Sequence, residues 1–199
     1  MPKIVNHNNQ KEIIAEAAWR VIRNVGIENA SVRKIAQEAG ISSGALQHYF
    51  NSQSQLLEFA MKMVVERVEQ RFANISKQVS AITLSNAKEL LLNLMPMDKD
   101  RELEMEIWLS LTVKAFHEPS LSEISQGTYS LIYQTILAML KQLDEAHLLK
   151  RGLNLEMEAK RLHILLDGLS LHRMICPDAM SIEQINAIIN QHLGELSND

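Results

Sequence analysis

An all-α chain of about nine helices is what this sequence predicts, with a three-helix N-terminal head followed by a larger helical bundle. Apolar residues recur at three-and-four spacing along most of the 199 residues, and helix breakers are scarce, at 7 Gly and 4 Pro. No stretch reads convincingly as a strand. At 46% hydrophobic the chain can bury a sizeable core, enough for one or two domains.

Ile13, Ile14, Ala17, Ala18, Val21, Ile22 and Val25 share one helical face, and Gly26 supplies the stop. A short second helix opens at the N-cap candidate Ser31, turns Val32, Ile35, Ala36 and Ala39 inward, and ends at Gly40. Ser42 caps a third that runs to about Phe50. Ser52 and Gln55 form a capping-box pattern at the head of a long fourth helix, about 54 to 75, which joins head to body. Ser85 or Asn86 starts a short helix broken near Pro96, and "DRELEMEIWLSLTVKAF" continues as the next, closed by "HEP" at 117–119. Ser120 with Glu123 reads as another capping box, leading into a helix through Ile132, Ile136, Leu140 and Leu143. Two more, about 155–175 and 181–194, flank "CPDAM", with Ser181 and Gln184 capping the last.

The segment "ISSGALQHYF", 41–50, falls second in a helix-turn-helix arrangement joined by "EAGIS". In that motif the second helix enters the major groove of DNA with its first residues against base edges. Small residues at its start let the backbone approach, and free amides of its first turn can meet a phosphate. Leu46 and Phe50, four apart, would hold the helix to the core, while Gln47 can read adenine and His48 and Tyr49 reach backbone oxygens. Spacing alone leaves open an ordinary helical hairpin with a polar outer face. Charge is permissive: residues 1–50 carry six cations against four anions, leaving the acidity of a chain of net −4 to the remainder.

"ASVRKIAQEAGISSGALQHYFNSQSQLL", residues 30–57, resembles the DNA-binding signature of tetracycline-repressor-type (TetR) transcriptional regulators. The resemblance implies a homodimeric repressor on a palindromic DNA operator, released by a small-molecule effector, with a DNA-binding domain at 1–53 and an effector-binding and dimerisation domain at 54–199. It also implies that Ser31 and Tyr49 bind phosphates and that Arg33, Ser42, Ser43, Gly44, Ala45, Gln47 and His48 line the groove. Family members often carry lysine where this chain has Ser43 and Gln53, so fewer phosphate contacts and a shallower salt dependence are expected. The body loosely resembles the BetI-like, choline-responsive branch through "IWLSLTVKAFHEPSL" and "LLDGLSLHRM".

Stripes on the last two helices are candidates for a dimer seam: Leu162, Leu165, Leu166 and Leu169 with the mid-helix Gly168, and Ile182, Ile185 and Ile189 on the other. Gly168 costs ~1 kcal/mol of helix propensity, which a close helix crossing would explain. The same stripes could instead face the chain's own core. For an effector, Met105, Trp108, Phe116, Tyr129, Tyr133 and Met139 are pocket candidates, with His117 and Asp167 as its polar members. Aromatic faces suit a quaternary ammonium and methionines a mixed set of hydrophobes, although aromatics at helical spacing are also ordinary core.

Other classes find little support. His163, Asp167 and His172 are the nearest approach to a metal set, but His172 turns to a different face, and no HExxH, CxxC or phosphate-cradling glycine loop occurs. Glu102, Glu104 and Glu106 diverge on their helix and read as a solvated surface rather than paired carboxylates. No enzyme, metal or cofactor is expected. A helical interaction protein that kept this fold but lost operator binding is the alternative. Apolar runs fall short of the ~18 residues of a membrane span, and "MPKIVNHNNQ" lacks the apolar centre of a secretion signal, so a cytoplasmic protein is expected. The single Cys176, among Met174, Ile175 and Pro177, reads as a packing residue in a reducing compartment.

Overall fold

The computed structural model describes residues 7–78 and 81–198, so most of the amino-terminal segment examined for a secretion signal lies outside the described residues. Nine α-helices occur among them: α1 His7–Val25, α2 Val32–Glu38, α3 Ser43–Tyr49, α4 Gln53–Gln78, α5 Leu84–Leu92, α6 Lys99–Ala115, α7 Pro119–Glu145, α8 Leu155–Ile175 and α9 Ile182–Leu196. A 3-10 turn, Ile27–Asn29, follows α1. Apart from an isolated bridge between Leu149 and Ser197, the described residues contain no β-structure. None of the described helices is long and apolar enough to cross a membrane.

The chain forms two compact units, Met1–Arg67 with Glu106–Gln126, and Val68–Met105 with Gly127–Asp199. In the first, most of the expected inward face of α1 is buried, with Ile14, Ala17, Ala18 and Ile22 at most 2% exposed and Val21 at 7%, but Ile13 and Val25 turn out to solvent at 41% and 38% because they lie at the edges of the stripe. Trp19 is fully enclosed; its indole N–H donates to the Ala60 carbonyl of α4 at 3.1 Å, and the Arg67 guanidinium lies 4.6 Å from its ring centre. Arg67 also pairs with Glu16 at 2.6 Å, fastening α4 to α1. In the second unit, Leu91 and Met95, Ile136, Leu140 and Leu143 of α7, Leu162, Leu166 and Leu169 of α8, and Ile185, Ile189 and Leu193 of α9 make one continuous core.

Capping explains most boundaries, and two differ from expectation. The α5 cap is Thr83, whose hydroxyl accepts the Asn86 N–H at 3.1 Å; Ser85 and Asn86 are already inside the helix. The start of α7 is Pro119, with the Ser122 N–H donating to the Glu118 carbonyl, so Ser120 lies within the first turn and caps nothing. Proline suits a first helical position, where its missing N–H would be unpaired anyway. At α4, Ser52 accepts the Gln55 N–H at 3.2 Å, but the Gln55 side chain takes the Asn51 N–H instead of closing the box on Ser52. The Ser181 and Gln184 box of α9 is complete.

Glu102, Glu104 and Glu106 are not the solvated row their spacing implies. Glu104 is 4% exposed and accepts both Nη atoms of Arg71, at 3.1 and 2.7 Å, while Glu102 takes Arg173 at 2.9 Å and Glu106 takes Arg23 at 3.4 Å. Each carboxylate meets an arginine from a distant part of the chain, which helix periodicity cannot reveal. Cys176, expected to pack, is exposed at the C-terminal cap of α8.

Candidate functional site

The best-defined polar surface is built on α2, its turn and α3. Ser31 sits in extended backbone and its hydroxyl accepts the Lys34 N–H at 3.4 Å, starting α2. Ile35 and Ala36 are buried, and the helix ends where Gly40 takes φ +69°, a left-handed conformation that favours glycine. The Ile41 N–H then returns to the Ala36 carbonyl at 3.0 Å. Ser42, again extended, accepts the Ala45 N–H at 3.1 Å and starts α3.

Leu46 and Phe50 are 1% and 4% exposed, so α3 is held by the two residues its spacing assigned to that task. Phe50 packs against Phe59, ring centres 5.5 Å apart, and the Lys11 ammonium lies 5.7 Å from the Phe50 ring centre. The opposite side of α3 is open. Ser42, Ser43, Gly44, Gln47 and His48 are exposed, and Ala45 and Tyr49 are half-buried. His48 and Tyr49 meet edge to face at 6.0 Å. A Cβ placed on Gly44 would meet only the Ser42 hydroxyl, at 3.9 Å, so internal packing does not demand a glycine there.

Ser31 and Arg33 are exposed at the start of α2, beside Lys34, a residue the sequence reading passed over. Among the described residues Arg33 and Lys34 form no ion pair, whereas Arg20 is neutralised by Glu38 at 2.6 Å and Arg23 by Glu106. Lys34 could have been found from sequence: it stands next to Arg33, one helical turn beyond the cap. Gln53 donates through its amide to the Ala30 carbonyl at 2.7 Å and ties the start of α4 to the loop before α2.

Of the effector candidates, Trp108, Phe116 and His117 belong to the first unit and Met105, Tyr129, Tyr133, Met139 and Asp167 to the second. Met139 is 5% exposed and packs in the core of the second unit. Phe116, 81% exposed, and His117 edge an open depression of the first unit with Ile27, Glu28, Val113, Lys114 and Glu118. Trp108, Met105 and Tyr133 are half-buried. On the second unit, the exposed Tyr129 ring stacks on buried His163 at 4.8 Å, and His163 Nε2 stands 3.9 Å from the exposed Asp167 carboxylate. Burial pushes the His163 imidazole below its ordinary range, with the Asp167 carboxylate acting against it. His172 is exposed, and no group of three or more metal-ligating side chains occurs among the described residues.

The seam candidates need correction. Leu162, Leu166, Leu169, Ile185 and Ile189 are 0–4% exposed inside the core of a single chain, so their side chains cannot meet a second copy. Leu165, Gly168 and Ile182 are only half-buried. The apolar side chains that α8 leaves open are Met157, Ile164, Leu171 and Ile175, 41–70% exposed. A Cβ at Gly168 would meet nothing within 4 Å, so no crossing inside the chain accounts for that glycine.

Comparison with known proteins agrees with this geometry. Residues 14–60 match the family model of bacterial regulatory proteins, tetR family, and residues 85–197 match that of the BetI-type transcriptional repressor C-terminal region. The HTH-type transcriptional regulator PksA of Bacillus subtilis is 39% identical over 196 residues, spanning 98% of this chain and 94% of PksA. BetI of Pectobacterium carotovorum is 25% identical over 204 residues, 98% of this chain and 97% of its own. A transcriptional regulator from a Rhodococcus species superposes with TM-score 0.80 at 26% identity, covering 94% and 95% of the two chains. A transcriptional regulator from Saccharomonospora viridis, solved in complex with choline, shares the fold with TM-score 0.85 at 21% identity, covering 96% of this chain and 100% of that one. A capped, outward-facing α3 and a match over both segments agree: the chain belongs to the tetR family of transcriptional regulators, with a BetI-type C-terminal region, and is a DNA-binding regulator rather than an enzyme.

Proposed function

We propose that the chain is a homodimeric repressor that works in the cytoplasm, binds a palindromic operator through α3, and leaves it when a small organic effector occupies the C-terminal region. Residues 1–53 serve as the DNA-binding domain and 54–199 as the effector and dimerisation domain. The observation that carries this reading is α3 itself. Its apolar side is anchored at Leu46 and Phe50, while Ser42, Ser43, Gly44, Gln47 and His48 stand open along the other. Gln47 is the base reader, and Ser31, Arg33, Lys34 and Tyr49 hold phosphates.

Two recognition helices must lie about one DNA turn, ~34 Å, apart to read a palindrome, which requires a second subunit. The structural support for that subunit is α8, which is apolar on both sides: Leu162, Leu166 and Leu169 face the core while Met157, Ile164, Leu171 and Ile175 stay open. A run of large apolar side chains left open to solvent marks a surface that a partner covers. The seam therefore runs along the outer side of α8, past Gly168, with α9 beside it, in the manner of a four-helix interface. Effector binding is read out through α4, one continuous helix that belongs to both compact units. Tyr129 and Asp167 are the effector contacts to examine first.

The test is a gel-shift titration with the DNA flanking the protein's own gene, across a salt series, with and without choline and a set of lipophiles. Saturable, salt-dependent binding reversed by one of these compounds is expected. Failure to shift any fragment at low salt would return the chain to the interaction-protein reading.

A further inference from the structure

On the second unit, α8 and α9 leave an open hollow of about 320 Å³ walled by Arg161, Ile164 and Leu165 of α8 and His192 of α9. Ile164, at 70% exposure, belongs to the free apolar stripe of α8, so the hollow is continuous with the seam proposed above. His192 is half-buried, and its enclosed Nε2 has no hydrogen-bond partner among the described residues. The charged groups facing it are Glu158 and Arg161 from α8 and Glu195 from α9. Glu158, 8% exposed, is already held by Arg161 Nη1 at 2.9 and 3.1 Å, and Glu195 accepts the Gln191 amide at 3.0 Å. Both carboxylates therefore have partners of their own, and the imidazole sits between apolar walls and an arginine.

We propose that a second copy of this chain closes over the hollow, and that it can do so only while His192 is uncharged, so that mild acid separates the subunits and releases the operator. This rests on the homodimer reading. In a free subunit, water at the open mouth reaches the part of the His192 ring that is not enclosed and eases its protonation. Closure expels that water and leaves the charge beside Ile164, Leu165 and the Arg161 guanidinium, an arrangement far costlier than enclosing a neutral ring. Burial already holds the imidazole below its ordinary value, with Arg161 acting in the same direction and Glu158 and Glu195 against it. Closure adds to the burial, so protons bind the free subunit more readily than the dimer. The dimer is therefore fully favoured above the free subunit's pKa and is lost as pH falls through it. One histidine per subunit gives up to two protons per dimer.

Sedimentation equilibrium of the full chain between pH 7.5 and 5.5 tests this. The dimer dissociation constant is expected to rise at least tenfold toward acid in the wild type and to stay within threefold in His192→Gln, whose side chain is neutral throughout. Glu158→Gln removes an attraction for the charged ring and should move the acid limb to lower pH. A dimer indifferent to pH overturns the proposal alone, as do a limb that persists in His192→Gln and one unmoved by Glu158→Gln. A chain that is monomeric at every pH overturns the homodimer reading, and the proposal with it.

Discussion

α3 and α8 are both amphipathic by position, yet only one declares its work from outside the fold. α3 has seven residues, one apolar side ending in Leu46 and Phe50, and one polar side ending in nothing. With a single way to bury itself, its outward residues follow directly. α8 has twenty-one residues and apolar stripes on two opposite sides, so its periodicity admits two orientations. The structure selects one, sending Leu162, Leu166 and Leu169 inward and leaving Met157, Ile164, Leu171 and Ile175 open. A helix with one apolar face shows its function in sequence, whereas a helix with two shows only that it needs two partners.

The contrast can be broken most sharply at Leu162 and Ile164, two residues apart and on opposite sides of α8. Leu162→Ala should cost about 2–5 kcal/mol of folding stability, read by thermal or urea unfolding, because it leaves a cavity in a closed core. Leu46→Ala should cost a similar amount in the head and abolish operator binding as α3 loses its anchor. Ile164→Glu should leave the secondary structure intact but raise the dimer dissociation constant by ~100-fold, about 2.7 kcal/mol, since it sets an unpaired charge in the seam. Stability loss in Ile164→Glu without any change in association would place Ile164 in the wrong role.

Smaller effects probe α3. Gln47→Ala should cost ~1–3 kcal/mol on the matched operator and much less on a scrambled one, whereas Tyr49→Phe should weaken both about evenly. Equal losses on both DNAs for both changes would remove Gln47 as a reader. Ser42→Ala should cost about 1 kcal/mol of stability through the lost cap, with a modest fall in DNA affinity as the start of α3 frays.

Much of the fold was legible because its signals are local. Ser31, Ser42, Ser181 and Gln184 cap helices within three residues of themselves, and the α1 and α3 faces repeat within a few turns. Thr83 and Pro119 escaped because neighbouring serines offered equally good local caps, and packing chose between them. In the candidate site, Leu46, Phe50 and Gln47 stand where spacing put them, but the free cation Lys34 was overlooked. The structural task of Gln53, a hydrogen bond to Ala30 across 23 residues, could not be read from its neighbours.

The helices, the capped turn between α2 and α3, and the open polar face of α3 are legible from the residues alone, because each depends on hydrogen bonds and periodicities closed within about one turn. Which stripe of α8 is core, where Met139 packs, and how Glu102, Glu104 and Glu106 each come to meet a separate arginine were settled by packing. Those outcomes depend on which surfaces are brought together across tens of residues. A periodic pattern states that a face must be covered; the fold determines by what.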